Sequence, residues 1–165
     1  MNAPEKKRAT GNVLRQKSVS RRAQRGATAI EFALVFPMFF AIFYAIVTFS
    51  LIFVAQQSLT LATEEGARAA LNYQVASSVS AAVTLRAQAA CNTATNMVAP
   101  MISSAKCTTA PTACAFDGTM QCIAVTLNYN YVSSPLVPNL PLLNVILPSQ
   151  LSSTATIQLN PINIL

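Results

Sequence analysis

The sequence contains no histidine and no tryptophan, and only 10% of its 165 residues are charged. Without histidine the chain lacks the side chain most often used for acid–base catalysis and metal binding. Beyond Glu65 the only acid is Asp117. Neither a pair of catalytic carboxylates nor a serine–histidine–aspartate relay can be assembled there. No enzymatic activity, cofactor or small-molecule substrate is therefore expected. The shortage of charge is large, since soluble domains average about 25%. With 53% hydrophobic residues, part of this surface is expected to face lipid or a partner. The length suits one domain, and no internal repeat is visible.

The charge that is present is unevenly placed. Lys6, Lys7, Arg8, Arg15, Lys17, Arg21, Arg22 and Arg25 precede residue 27, opposed there only by Glu5. After Gly26 the bases are Arg68, Arg86 and Lys106, against Glu31, Glu64, Glu65 and Asp117. A basic, hydrophilic leader (1–26) thus precedes a run from Phe32 to Thr63 without any charge. About 20 apolar residues at 1.5 Å each cross a hydrocarbon core of about 30 Å. Residues 27–60 are read as a transmembrane helix, kinked at Pro37, which removes a donor and crowds the carbonyl of Ala33. The basic leader keeps its end in the cytoplasm and directs the C-terminal part outward. The leader's eight bases also suit phosphates, but they adjoin a membrane helix and lack interleaved aromatics. Anionic lipid is the better partner, and nucleic acid is not expected.

Residues 61–165 are read as an extracytoplasmic α+β domain. The first helix is expected to continue from Ala27 to about Tyr73. A second spans about Ser78–Val98 and ends before Pro100. Leu71, Val75, Val79, Ala82 and Val83 share a helical face that Ala90, Ala94 and Met97 resume, with Arg86 interrupting it and reaching for water. Cys122–Tyr131 alternates like a half-buried strand, with Ile123, Val125, Leu127, Tyr129 and Tyr131 on one side. Ser152–Leu159 is a second strand. The apolar, proline-punctuated connection between them is either a loop packed on the sheet or a surface for a neighbouring subunit. Cys91, Cys107, Cys114 and Cys122 all follow the membrane segment. Two disulfides are favoured over a zinc site, because there is no CxxC pair and no histidine. Three pairings are possible; one of them, Cys114 with Cys122, would enclose the turn signal Asp117-Gly118.

The junction Arg25-Gly26-Ala27-Thr28-Ala29-Ile30-Glu31-Phe32 is the most informative stretch. A secretory signal places its apolar region before the cut; here it follows. Cleavage after Gly26 would keep the helix and create an α-amine on Ala27. A carboxylate deep in lipid costs on the order of 2.5 kcal/mol or more. Glu31 either rests among headgroups, complementing the helix dipole, or pairs with an ammonium on a neighbouring subunit. The pattern resembles type IV pilin-like proteins, which are cut after glycine and carry glutamate at the fifth position. Arg25-Gly26-Ala-Thr-Ala-Ile-Glu31-Phe-Ala-Leu-Val-Phe-Pro37, with Gln56-Gln57 leading to Glu64-Glu65-Gly66-Ala67-Arg68-Ala69-Ala70, is similar to the TadE family of tight-adherence pilus proteins. That family reads RGxxxVEFALxxP and then an REGAR-like box; here Glu64 replaces the box's first base. Thr126–Tyr131 and Leu151–Ile157 look loosely like the family's paired strands.

The resemblance implies a minor pseudopilin in the bacterial inner membrane, cut by a prepilin peptidase at Gly26–Ala27. Its partners would be other pilins and pseudopilins, the assembly platform and its ATPase. The resulting Flp-type pilus serves surface adhesion and biofilm formation, with Glu31 acting in assembly. A TadF-like sibling fits nearly as well. The alternative is a signal-anchored envelope protein with a small disulfide-bonded outer domain and no place in a pilus. The Glu64–Arg68 spacing also permits an ordinary i,i+4 pair on a solvated helix face.

Overall fold

The computed structural model describes residues 22–138, 146–160 and 164, without the side chains of 22–25 and 27. Most of the basic leader and residues 139–145 of the apolar connection lie outside the described residues. The order is α1 (Arg22–Ala69), α2 (Val79–Val98), β1 (Lys106–Ala113), β2 (Gln121–Asn130) and β3 (Gln150–Leu159). This is the α+β arrangement read from the sequence, with one further strand. The chain divides into two compact units, Met1–Ile42 and Phe43–Leu165, with α1 contributing to both.

In the first unit α1 is apolar all round from Phe32 to Ile42, and every described side chain from Thr28 to Ile42 is exposed. Phe32, Phe36 and Phe40 follow one another at single-turn spacing, with ring centroids 5.3 and 6.3 Å apart. Pro37 lies inside α1, which continues as one helix through it.

In the second unit the same helix acquires an inside. Thr48, Ile52, Ala55, Leu59, Ala62, Thr63 and Ala67 are buried, mostly three or four residues apart along one face, and Ala70 just beyond the helix joins them. The hydroxyls of Thr48 and Thr60 donate back to the carbonyls of Tyr44 and Gln56. Such bonds let hydroxyl side chains sit in an apolar helix.

Helix α2 starts where Ser78, extended at φ −154°, ψ 159°, accepts from the Ala81 amide. A cap of this kind is worth about 1 kcal/mol. The buried face of α2 is Ala82, Val83, Arg86, Ala87, Ala90, Ala94 and Val98. Two readings of the sequence are corrected here. Leu71, Val75, Val79 and Met97 are exposed and do not belong to the stripe, the first two lying in the connection after α1 and Val79 at the first residue of α2. Arg86 does not interrupt the stripe but belongs to it, only 4% exposed.

The sheet has the order β1-β2-β3, antiparallel throughout. As expected, Ile123, Val125, Leu127 and Tyr129 of β2, with Tyr131 just beyond it, are buried on one side. The other side is small and polar, and one cross-strand row is Thr108, Thr126 and Thr154. The unexpected strand is β1, with its Ala-Pro sequence. It tolerates Pro111 because it pairs only with β2. The Cys114 amide bonds to Met120 O at 3.0 Å, so by alternation the Pro111–Ile123 pair is non-hydrogen-bonded and loses no ladder bond.

Candidate processing and assembly site

Gly26 lies in the first turns of α1, exposed, and a Cβ there would meet nothing within 4 Å. Ala27 continues the helical backbone. Glycine weakens a helix by about 1 kcal/mol relative to alanine. This first part of α1 therefore opens at little cost. Glu31 is exposed one turn beyond Ala27 and has no ion-pair partner among the described residues. Its i,i+4 relation to Ala27 puts the two on one helix face. An α-amine made at Ala27 and the Glu31 carboxylate would then share a stripe that a neighbouring helix can read.

The second cluster is the box at the end of α1. It divides cleanly between surface and interior. Glu64, Arg68 and Glu65 face outward, and Arg68 Nη1 pairs with Glu65 Oε1 at 3.1 Å. The pair is therefore i,i+3 with Glu65 rather than i,i+4 with Glu64, and its exposed partners make it worth at most a few tenths of a kcal/mol. Gly66, Ala67 and Ala70 face inward. A Cβ on Gly66 would lie 2.7 Å from Ala90 O, 2.9 Å from Ala94 Cβ and 3.5 Å from Val125 Cγ1. At Gly66, α1 thus approaches the α2 backbone too closely for a side chain. The sequence reading flagged the box but not that its glycine was a packing residue; the run of alanines in α2 was the available clue.

Further polar links hold the helices to the rest of this unit. Gln56 Nε2 donates to Ser152 O at 2.8 Å, and the hydroxyls of Thr63 and Ser153 are 3.0 Å apart. Arg86 donates through Nη2 to Ile164 O at 3.1 Å and through Nη1 to Leu71 O at 3.5 Å. Its guanidinium therefore gathers carbonyls from two other segments instead of reaching water. A buried charge that replaces its water with carbonyl acceptors escapes the desolvation cost of an unpaired one.

All four cysteines are joined, Cys91 to Cys107 and Cys114 to Cys122. The first ties α2 to β1, and the second closes the β1–β2 turn. Within that turn the Thr119 hydroxyl and amide both donate to Asp117 Oδ1, at 2.6 and 2.9 Å. These bonds hold the Asp117 carboxyl below its ordinary pKa, the hydroxyl contributing most. Burial pushes the Tyr129 and Tyr131 phenols up, and Tyr129 donates to Ser134 O.

Helix α1 is long and apolar enough to cross a membrane, and only 17% of its most apolar window is buried inside the protein. The family model of TadE-like proteins matches residues 26–68, from Gly26 through Arg68. The strand motifs at 126–131 and 151–157 lie outside that match. No curated protein and no solved structure matches the chain significantly.

Proposed function

We propose, from a chain that is TadE-like over residues 26–68, that this protein is a minor pseudopilin of a Tad-type pilus. It acts as a structural part and peptidase substrate rather than as a catalyst. The observation that carries this reading is the position of the match, which opens on the candidate cut-site glycine and closes on the box. Residues 27–60 would hold it in the inner membrane, with the basic leader cytoplasmic and the domain of residues 61–165 outside. Because Thr48, Ile52 and Ala55 are covered by the protein's own fold, the part of that helix surrounded by lipid would end near Val47. Counted from Ala27, that is about 20 residues, the length a bilayer requires.

In this reading a prepilin peptidase removes residues 1–26. The new Ala27 ammonium and Glu31 then neutralise one another between neighbouring pilin and pseudopilin helices, so that neither charge is left alone in lipid. The assembly platform and its ATPase move the subunit into or beneath the pilus, which serves adhesion and biofilm formation.

The test is mass spectrometry of the N-terminus of protein purified from its native host, with and without Gly26→Ala. A chain starting at Ala27, left uncut by the substitution, supports the pseudopilin. A chain retaining Met1, or starting elsewhere, favours the permanently anchored envelope protein.

A further inference from the structure

The outer face of the sheet, opposite the helices, gathers polar side chains at one end. Strand alternation puts Lys106, Asn128, Asn130 and Gln150 on this face, because the neighbouring Leu127, Tyr129 and Leu151 are buried on the other. Register brings the four together: Lys106 lies opposite Asn128, and Asn130 opposite Gln150. With Ser104 before β1 and Ser133 after β2 they line a cleft of about 350 Å³. That volume falls at the lower end of the range, about 300–1,000 Å³, in which proteins hold small molecules.

The hydrogen bonds within the cleft decide what it can take. The Ser133 amide donates to Asn130 Oδ1 at 3.0 Å. A backbone N–H only donates, so the Asn130 oxygen is fixed on the turn and its NH₂ group keeps both donors. Asn128 Oδ1 accepts from Gln150 Nε2 at 3.0 Å, which leaves the Asn128 NH₂ group its donors too. Lys106 adds an ammonium, and of the bases after Gly26 it alone is uncommitted. Arg68 pairs with Glu65, Arg86 is buried on the carbonyls of Ile164 and Leu71, and Lys106 has no ion pair among the described residues. No carboxylate and no aromatic ring among the described residues lines the cleft. Its spare hydrogen-bonding capacity is therefore rich in donors and carries one positive charge.

We propose that this cleft binds an acidic glycan, holding the carboxylate of one uronic acid unit on Lys106 and the Asn128 and Asn130 amides. A carboxylate supplies both the acceptors and the charge that this donor set lacks. A sugar acid fits better than a bare anion for two reasons. Gln150 Oε1 remains an acceptor, which a sugar hydroxyl can use and an anion cannot. The next row on the same face is Thr108, Thr126 and Thr154, so the adjoining units of a glycan chain meet hydroxyls. Without an aromatic platform the binding is weak, with Kd on the order of 1 mM, and it falls as salt screens the exposed charge. The site lies wholly in the second unit and is independent of any cut at Gly26.

The test titrates the isotope-labelled full chain, in zwitterionic micelles, with trigalacturonate, with neutral galactotriose and with acetate, followed by NMR. Millimolar trigalacturonate should shift the side-chain amides of Asn128 and Asn130 and the backbone amide of Lys106, and the other two probes should do so several-fold less. Lys106→Gln should weaken trigalacturonate binding by up to about fivefold, the worth of an exposed ion pair. Asn130→Asp still accepts from the Ser133 amide but replaces the donor with a negative charge, and should abolish binding. Both residues are exposed, and the remaining backbone amides report that each variant is folded. Equal shifts with acetate reduce the cleft to a bare anion site and overturn the glycan, as do equal shifts with galactotriose. Absence of shifts, or binding indifferent to both substitutions, overturns it as well. The same shifts on adding phosphatidylglycerol to the micelles would assign the cleft to lipid headgroups and overturn it too.

Discussion

Replacing Gly66 with alanine sets two opposed effects against each other. Alanine is about 1 kcal/mol better than glycine inside a helix, so an unobstructed helical glycine should be stabilised by the change. At Gly66 the new methyl would sit 2.7 Å from a backbone oxygen and 2.9 Å from another Cβ. Neither neighbour is the free end of a side chain. Ala90 and Ala94 both belong to α2, so relief requires that whole helix to move by several tenths of an ångström. The movement would loosen contacts on both sides of the crossing, including Val125. Overpacking of this kind costs about 1–3 kcal/mol, and two rigid neighbours place this site at the upper end. The expected net loss is about 1–2 kcal/mol, lowering Tm by roughly 3–10 °C for a unit of this size. Thermal unfolding followed by near-ultraviolet circular dichroism of the tyrosines reads the second unit, to which Tyr44, Tyr73, Tyr129 and Tyr131 all belong. Gly118→Ala, where a Cβ meets nothing, is the matched control and should fall within about 0.5 kcal/mol of the parent. If Gly66→Ala is as stable as the parent, or more so, the box glycine is not a packing residue and the reasoning fails.

Other outcomes follow from the same geometry. Replacing Cys91 and Cys107 by serine should cost about 3 kcal/mol, and replacing Cys114 and Cys122 slightly less because the closed loop is shorter, 8 residues against 16; urea unfolding of the two double variants orders them. Arg86→Met should cost about 2–4 kcal/mol by orphaning buried carbonyl acceptors, with amide exchange accelerating first around Ile164. Folding favours the ionised form of Asp117, so its small stabilisation is complete above the ordinary carboxylate pKa and is lost as pH falls through the lowered folded value. Thr119→Ala should return the Asp117 titration, followed by NMR, toward the ordinary value. Glu31→Gln keeps the size of the side chain but removes its charge; cleavage at Gly26 should continue while pilus assembly fails.

How far the sequence could be read varied with the range of the interactions. The long helix, the second helix with its Ser78 start, and the two core strands were legible because period and local caps encode them. The strand ends moved by no more than two residues. Strand β1 was not legible. Lys-Cys-Thr-Thr-Ala-Pro-Thr-Ala has little apolar alternation, and its place is fixed by pairing with β2 and by the Cys91–Cys107 bond. Arg86 was misjudged for a related reason. A lone base on an apolar stripe ordinarily turns its head to water, and only the approach of residue 164, distant in sequence, supplies an interior acceptor. Arg68 pairs with Glu65 at i,i+3 rather than with Glu64 at i,i+4, a choice that spacing alone does not decide.

The candidate site was legible in a different sense: its residues could be named, but their division of labour could not. Gly26 and Glu31 stand exposed on the helix, with no ion pair to Glu31 and nothing within 4 Å of a Cβ at Gly26 among the described residues. Gly66 is the reverse, because the crossing with α2 leaves no room for a side chain. The family match thus joins two constraints of unlike origin. Its first residues fit recognition by other molecules, and its last ones fit the folding of this one. That division predicts separable phenotypes. Changes at 26–31 should spare the stability of the globular unit and abolish processing or assembly. Changes at 66 should reduce its stability while leaving the proposed cut at Gly26 intact, because Gly66 lies forty residues further along α1 than the candidate cut site. A Gly66 variant that folds normally yet escapes cleavage would refute the division.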